Sequence, residues 1–126
     1  MNIKNTFKKL IFLNIGLFFL LFTSVFFESD EVIRFNESLD AIPTSLLIIS
    51  LIWTIFYFVS LYFLYTFKKN GKKLFSILFV LGVVLNLPLG PSAVDSLMYT
   101  IDALSWCSQS AILVFLYFTP VQKYFK

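Results

Sequence analysis

The sequence has no histidine and only one cysteine, Cys107. The commonest general base and metal ligand is therefore missing, and a single thiol forms neither an internal disulfide nor a CxxC redox pair. The GxSxG motif of hydrolases, the GxxxxGK(S/T) phosphate loop and the HExxH zinc motif are absent too. We therefore predict that the protein is not an enzyme and has no catalytic residue, no metal ligand and no cofactor.

Charged residues are also scarce, at 13% of the 126 residues, and alanine and glycine supply only four residues each. In their place, 59% of the residues are hydrophobic and seventeen are phenylalanine. A soluble domain of this size could not bury so much apolar surface, since soluble domains carry about 25% charged residues. We predict a single-domain, all-α membrane protein whose first partner is the lipid bilayer, with no nucleic-acid partner. The scarcity of small residues predicts helix packing through Phe and Leu side chains.

Four apolar runs indicate four transmembrane helices, at about 10–27, 45–67, 72–88 and 93–119. The first run would rise roughly 27 Å as a helix, close to the thickness of the hydrocarbon core. It lacks the A-x-A cleavage pattern of a signal peptide, so we expect it to stay in the protein. The third run is the shortest, because the sequence Pro88-Leu89-Gly90-Pro91 must break it. At the start of the fourth, Ser92-x-x-Asp95 matches a capping box.

The connection after the first helix is acidic but not uniformly polar. Val32, Phe35, Leu39 and Ile42 recur at helical spacing on one face, and Asp30 is placed to cap a helix there. A short amphipathic helix on the membrane surface and an irregular solvated loop both fit this pattern, and both remain open.

The segment between the second and third helices combines a turn dipeptide, Asn70-Gly71, with four lysines. We expect a tight bend that divides the four helices into two antiparallel hairpins, flanked by a cytoplasmic charge anchor of Lys68, Lys69, Lys72 and Lys73. Nine of the ten basic residues lie at this bend or near the chain ends, whereas Arg34 and all seven acidic residues lie in or beside the other two connections. The positive-inside rule then predicts a multi-pass protein of the cell (inner) membrane with both termini in the cytoplasm.

Polar side chains form a stripe on the fourth helix. Asp95, Tyr99, Asp102, Trp106 and Gln109 recur at steps of four, three, four and three, so they share one face. Together with Asn86 of the third helix, these residues are our candidates for a polar vestibule open to the outside. The alternative is that they only hold helices together by hydrogen bonds.

Two pairings inside this set can be expected from depth and charge. Asn86 and Gln109 lie at similar depths, so their amides are within reach of a hydrogen bond. An ionisable residue such as Asp102 inside a membrane is often functional, and Arg34 is the one basic residue of the outer half that could pair with it or with Asp95.

Two segments of the second half resemble a group of bacterial four-helix membrane proteins. One is Lys-Lys-x-Gly-Lys-Lys-Leu-Phe-Ser-Ile-Leu-Phe-Val-Leu-Gly at Lys68–Gly82, and the other is Leu-Tyr-Phe-Thr-Pro-Val-Gln-Lys-Tyr-Phe-Lys at Leu116–Lys126. Many members have Asn-Trp in the bend, where this chain has Lys72-Lys73-Leu74-Phe75. The resemblance implies a bacterial inner-membrane protein and carries no function with it.

Three classes of function remain. The first hypothesis is an accessory or interaction subunit that binds a membrane-protein partner through its Phe-rich lipid face or its acidic outer loop. The alternative is a minimal transporter or channel for a small ion or cation, working as a homo-oligomer, with a path past Asn86, Asp102 and Gln109. A membrane-disrupting effector is the third class. Flux through liposomes separates the first two, because Asp102→Asn should abolish transport.

Overall fold

A computed structural model describes residues 2–89 and 92–126, and these residues form helices joined by short connections. The prediction of an all-α protein is confirmed, since the described residues contain no strand. The five α-helices are α1 (Ile3–Ser24), α2 (Asp30–Glu37), α3 (Thr44–Tyr65), α4 (Lys69–Asn86) and α5 (Ser96–Phe118). Short 3-10 helices occupy Val25–Phe27, Leu87–Leu89 and Pro120–Tyr124. Of the predicted helix break after the third apolar run, Gly90 and Pro91 lie outside the described residues.

Three segments are long and apolar enough to cross a membrane: Ile3–Phe27, Thr44–Tyr65 and Ser96–Phe118. The remaining long helix, α4, has 18 residues with three lysines among its first five positions, which makes it less apolar. Helix length and composition therefore support a membrane protein with three candidate spans.

Helix α1 starts before the apolar run from which it was predicted. It begins at Ile3 because Asn2 caps it, with the Asn2 side-chain oxygen accepting a hydrogen bond from the Lys4 backbone N–H at 3.2 Å. The lysines that precede the apolar run are thus part of the helix, and they extend it beyond the predicted 10–27.

The bend between α3 and α4 lies at Phe67, so the predicted turn at Asn70-Gly71 is wrong. Phe67 has a left-handed backbone with φ of 56°. The Lys68 N–H donates to the Phe63 carbonyl at 2.9 Å, and the Phe67 N–H donates to the Leu64 carbonyl at 3.1 Å. These bonds form a Schellman motif, in which the position of Phe67 is usually glycine.

Gly71 lies in the first turn of α4 and serves helix packing instead of a bend. A Cβ at this position would meet the Cβ of Phe63 at 2.8 Å and its backbone carbonyl carbon at 2.9 Å. Only glycine therefore lets α4 approach α3 this closely, which is the usual role of small residues between membrane helices.

The long helices pack as two pairs that differ from the predicted hairpins. α1 packs mainly against α5 and α3 mainly against α4, whereas contacts of α1 with α3 and of α4 with α5 are sparse. Aromatic rings bridge the pairs: the Phe18 ring centroid lies 6.4 Å from that of Tyr57 and 4.9 Å from that of Phe58, and Phe79 lies 5.7 Å from Trp106. Large rings keep the two pairs apart, because close approach needs small residues.

Three basic segments meet at one end of the bundle, which we call the basic end. The Lys69 N–H donates to the Lys126 carbonyl at 3.0 Å, and the Lys126 N–H donates to the Phe67 carbonyl at 3.3 Å. The Lys4 ammonium lies 5.2 Å from the ring centroid of Phe67 and 5.6 Å from that of Tyr124. The amino terminus, the α3–α4 bend and the carboxy terminus are therefore held together.

The apolar core fills the half of the bundle next to the basic end. Its central side chains are at most 1% exposed: Phe7, Ile11, Leu61, Leu64, Phe75, Ile112, Leu116 and Val121. All four long helices and the carboxy-terminal 3-10 helix contribute to this set, so this half of the bundle is tightly closed.

The opposite end, which we call the acidic end, carries helix α2. Of the two alternatives for the first connection, the structure has the helix, over Asp30–Glu37. The predicted cap at Asp30 is one residue late, because Ser29 holds the extended cap position and Asp30 is already helical.

Two sets of hydrogen bonds join α2 to the segment before α5, and we call them the acidic-end clasp. The Asp95 carboxylate accepts from the Ser29 backbone N–H at 2.7 Å and from the Ser29 hydroxyl at 3.1 Å. The Asn36 side chain donates to the Ala93 carbonyl at 3.0 Å and accepts from the Ala93 N–H at 2.9 Å. The predicted capping box that ends at Asp95 is therefore wrong: Asp95 binds Ser29, and α5 begins only at Ser96.

Candidate functional site

A cavity of about 220 Å³ lies between the two helix pairs, in the half of the bundle next to the acidic end. All four long helices line it, through Asn14, Phe18 and Leu21 of α1, Ser50, Trp53, Thr54 and Tyr57 of α3, Gly82, Leu85 and Asn86 of α4, and Asp102, Ser105, Trp106 and Gln109 of α5. Ten of these fourteen side chains carry a polar atom, although the chain as a whole is poor in polar residues.

A buried hydrogen-bond network forms the floor of the cavity. The Tyr57 hydroxyl donates to Asn14 Oδ1 at 2.5 Å, Asn14 Nδ2 donates to Ser108 Oγ at 2.6 Å, and the Ser108 hydroxyl donates to the Ser105 carbonyl at 2.9 Å. Tyr57 and Asn14 are each 1% exposed. The network joins α1, α3 and α5, and it satisfies polar groups that would be costly to bury unpaired.

One helical turn below this floor, the bundle is apolar and closed. Ile11 of α1, Leu61 of α3 and Ile112 of α5 follow the floor residues of their helices toward the basic end, and each is at most 1% exposed. The cavity therefore ends at this layer and does not continue through the bundle toward the basic end.

Trp53 forms a wall of the cavity and is held in place by three contacts. Its indole N–H donates to the Leu78 carbonyl of α4 at 2.8 Å. Its ring stacks on Tyr57 with 5.1 Å between centroids and 15° between planes. Its edge lies against Gly82, where a Cβ would come within 2.9 Å of the Trp53 Cζ2. A ring fixed in this way is a rigid recognition surface.

Asp102 is the one carboxylate among the described residues that line the cavity, and no lysine or arginine joins it there. It is the sixth residue after the first residue of α5, about 9 Å along the helix axis. Trp106 and Gln109 lie on the same face at the next two turns. The described lining therefore carries one acidic side chain and no basic one.

Four of the six predicted vestibule residues line this cavity: Asn86, Asp102, Trp106 and Gln109. The other two lie elsewhere. Tyr99 is 67% exposed, and Asp95 precedes α5 and is paired with Ser29 in the acidic-end clasp, not with Arg34. The predicted stripe assumed a helix already formed at residue 95, and the later start of α5 removes its first member.

The expected bond between the two amides is replaced by one within α4. Asn86 Nδ2 donates to the Gly82 carbonyl at 2.7 Å, and no hydrogen bond joins Asn86 to Gln109 within the part of the chain that the structure describes. The two amides therefore line the cavity separately, each from its own helix.

The lining residues of α1 and α3 were not predicted from the sequence. Ser50, Trp53, Thr54 and Tyr57 are spaced at i, i+3, i+4 and i+7, which places them on one helical face. That spacing could have been recognised in the sequence, but the residues between its members are apolar and the segment as a whole reads as a uniform apolar run. Asn14 carried a second signal, as the lone amide inside the apolar run of α1.

The four lysines of the predicted charge anchor lie at the basic end, away from the cavity. The Lys72 ammonium lies 4.1 Å from the ring centroid of Tyr117, and the Lys68 ammonium lies 5.0 Å from that of Phe63. Lys69 and Lys73 are exposed. These lysines cap the closed half of the bundle.

Comparison with protein-family models, with curated proteins and with solved structures finds no match for this chain. The lining groups themselves have the character of a binding site, because one carboxylate, several hydrogen-bonding groups and aromatic rings converge on one space within an apolar wall.

Proposed function

We propose that this protein binds a small solute from the external side of a bacterial inner membrane, as a minimal transporter with four membrane-spanning helices. The observation that carries the proposal is the cavity around Asp102, which all four long helices line and which ends at a closed core. An ionisable residue inside a membrane is costly and marks solute paths in many membrane proteins.

The path of the chain supports α4 as the fourth crossing. α3 ends at the basic end, and α5 begins at the acidic end beside Ser29. The chain must return between these points, and α4 is the segment that does so. Its 18 residues rise about 27 Å, close to the hydrocarbon thickness. Lys72 extends over Tyr117, as a snorkelling lysine does at a membrane boundary.

The distribution of charge supports the orientation. With the basic end in the cytoplasm, nine of the ten basic residues lie on the cytoplasmic side, in accord with the positive-inside rule. The likeness of Lys68–Gly82 and Leu116–Lys126 to bacterial four-helix membrane proteins supports an inner-membrane location. The acidic end and the cavity then belong to the external half.

The closed core favours a transporter over an open channel. The layer of Ile11, Leu61 and Ile112 blocks passage beyond the cavity, so a solute could cross only if the two helix pairs moved relative to each other. The accessory-subunit hypothesis needs no cavity, and lipid alone accounts for the exposed apolar faces.

Cysteine labelling tests the vestibule and its orientation. In a Cys107→Ser background, single cysteines replace Thr54 in the cavity, Leu61 in the core, Glu37 at the acidic end and Lys123 at the basic end. A membrane-impermeant thiol reagent small enough for the cavity, a methanethiosulfonate with a trimethylammonium group, should label Thr54→Cys and Glu37→Cys in intact cells. It should label Lys123→Cys only after permeabilisation, and it should leave Leu61→Cys unlabelled.

Flux measurements test transport itself. We expect proteoliposomes to release small ions or cations with the wild-type protein, and Asp102→Asn to abolish that release. Unlabelled Thr54→Cys in cells, or flux that Asp102→Asn leaves unchanged, would refute the proposal. Absence of flux together with a co-purifying membrane protein would support the accessory role.

A further inference from the structure

We propose that the solute is a small organic cation with one positive charge, held by the Asp102 carboxylate beside the rings of Trp53 and Trp106. This inference rests on the proposed function of the cavity as a solute site and adds the chemical class of the solute.

The sign of the charge follows from the lining. Asp102 supplies a formal negative charge, and the described lining residues contain no lysine or arginine to neutralise it or to bind an anion. A carboxylate inside a membrane is expected to pair with a positive group. Since the lining offers none, the solute is the group that completes the pair.

An organic cation fits better than a metal ion. Ca²⁺ and Mg²⁺ take about six or more oxygen ligands, and alkali-ion filters use rings of carbonyl oxygens. Within residues 2–89 and 92–126, no group of three or more His, Cys, Asp or Glu side chains could hold a metal. The Asn14 side-chain oxygen already accepts a hydrogen bond from Tyr57, whereas the Asn86 bond to Gly82 uses the side-chain NH₂ group and leaves the Asn86 oxygen free. The lining offers one carboxylate and otherwise neutral oxygens, so a dehydrated divalent ion would keep an uncompensated positive charge there.

The aromatic lining is suited to an alkylated ammonium group. Tryptophan is the best aromatic partner for an organic cation, and such cations are commonly bound in cages of aromatic rings. Both tryptophans of the chain line this cavity. Trp53 is held by its bond to Leu78, its stacking on Tyr57 and its contact with Gly82, so little freedom is lost when a ligand binds.

The size of the cavity limits the cation. Its volume of about 220 Å³ is below the roughly 300–1,000 Å³ of pockets for drug-sized ligands. The cavity therefore suits a solute of the size of a quaternary ammonium compound with short substituents, and it excludes bulky aromatic dyes.

Binding can be measured through the protein's own fluorescence, because both tryptophans line the cavity. The purified full-length protein in lipid nanodiscs is titrated, at constant ionic strength, with choline, with its neutral isostere 3,3-dimethylbutan-1-ol, and with potassium. We expect saturable quenching or a shift in emission with choline alone. Choline and the alcohol share one shape, so this pair isolates the contribution of charge.

Variants then locate the site. Asp102→Asn should weaken choline binding at least about tenfold, because the solute loses its charged partner. Trp53→Phe should weaken binding about threefold, with Trp106 as the remaining reporter. Asp95→Asn, which changes a carboxylate outside the cavity, should leave the Kd within about twofold. If Asp102→Asn is too unstable to purify, choline binding is measured by calorimetry on Asp102→Glu. This variant keeps the negative charge and should still bind choline.

Three outcomes would overturn the inference: the alcohol binds as tightly as choline, potassium alone produces the response, or Asp102→Asn binds choline as well as the wild type. If Thr54→Cys is labelled from outside but no choline binds, the class of solute is wrong and the vestibule stands. If Thr54→Cys is not labelled, the proposed function itself fails.

Discussion

The two halves of this bundle use the same four helices in opposite ways. Next to the basic end, the rings of Phe7 and Phe75 have no exposed surface, and Phe67 packs among its neighbours despite a left-handed backbone. Next to the acidic end, the helices enclose a polar-lined cavity of about 220 Å³. The halves meet at the network of Asn14, Tyr57 and Ser108.

The step from one half to the other is a single helical turn. On α1, Ile11 belongs to the closed half and Asn14, one turn later, belongs to the floor of the cavity. On α3, Leu61 belongs to the closed half and Tyr57, one turn earlier, belongs to the floor. Changes of this size in residue type, repeated on facing helices, turn an apolar core into the floor of a site. Stability is expected to come mainly from the closed half, and under the proposed function the half that holds the cavity binds the solute.

The largest effect is expected at Phe67, in the closed half. Phe67→Ala should lower the free energy of unfolding by about 3 kcal/mol, because the ring is lost from contact with Phe7 and Phe125 while the left-handed backbone remains. Phe67→Gly should lower it by about 1 kcal/mol less, since glycine removes the backbone strain. Unfolding by SDS titration in micelles measures both. A glycine variant more stable than the wild type would show that the ring does not hold this end together.

The next largest effect is expected at Gly71. Gly71→Ala should cost about 2 kcal/mol, because the new Cβ meets the backbone of Phe63, which cannot move without separating α4 from α3. Gly16→Ala is the matched control, since nothing lies within 4 Å of a Cβ there, and it should be neutral or stabilising through its higher helix propensity. Equal losses for the two variants in the same unfolding assay would contradict the close α3–α4 contact.

A smaller loss of stability is expected at Gly82, in the half of the bundle that holds the cavity. Gly82→Ala should cost about 1.5 kcal/mol, because the new Cβ meets the Trp53 side chain at 2.9 Å and forces the ring out of its bond to Leu78 and its stacking on Tyr57. The ring should then turn into the cavity, changing the Trp53 emission in a Trp106→Phe background and weakening choline binding. Unchanged emission would mean that Gly82 does not position Trp53.

The floor network is expected to contribute about as much as one buried hydrogen bond between membrane helices. Tyr57→Phe removes the donor to Asn14 and should cost about 1 kcal/mol. Tyr62→Phe, at an exposed hydroxyl of the same helix, should cost nothing measurable in the same assay. If the two variants behave alike, the network does not mark the boundary between the halves.

The smallest effect is expected at the acidic-end clasp. Asn36→Ala removes both bonds to Ala93 and should cost about 0.5 kcal/mol. The change should be local: faster hydrogen exchange in α2, with no change in the closed half. Asn5→Ala, at an exposed amide of α1, is the control. Faster exchange around Phe7 and Leu116 would show that the two halves are coupled more strongly than their packing indicates.

The sequence predicted one part of the site better than the rest. Asp102, Trp106 and Gln109 were found because they recur at helical spacing on α5 and stand out among apolar neighbours. Asp95 and Tyr99 do not line the cavity, because Asp95 precedes α5 and accepts hydrogen bonds from Ser29, and Tyr99 is exposed. No local pattern could have indicated that contact between residues 66 positions apart.

The bend between α3 and α4 is a second feature that could not be placed from local sequence alone. Asn70-Gly71 is a common turn dipeptide, and the sequence alone favoured a turn there. The structure uses Gly71 for close packing against Phe63 and places the left-handed residue at Phe67. The ring of Phe67 is buried against those of Phe7 and Phe125, and this is a property of the assembled end, not of the dipeptide.

By itself, the sequence determined that the chain is helical, that at least three of its helices suit a membrane, and that its charges fall into separate groups. These properties depend on composition and periodicity, which act within one segment at a time. Only the tertiary structure decided that α1 pairs with α5 and α3 with α4, and that a cavity lies between the pairs. Contacts such as that of Asn14 with Ser108, 94 residues apart, depend on how each helix is rotated about its axis. Side chains on all four helices set that rotation together.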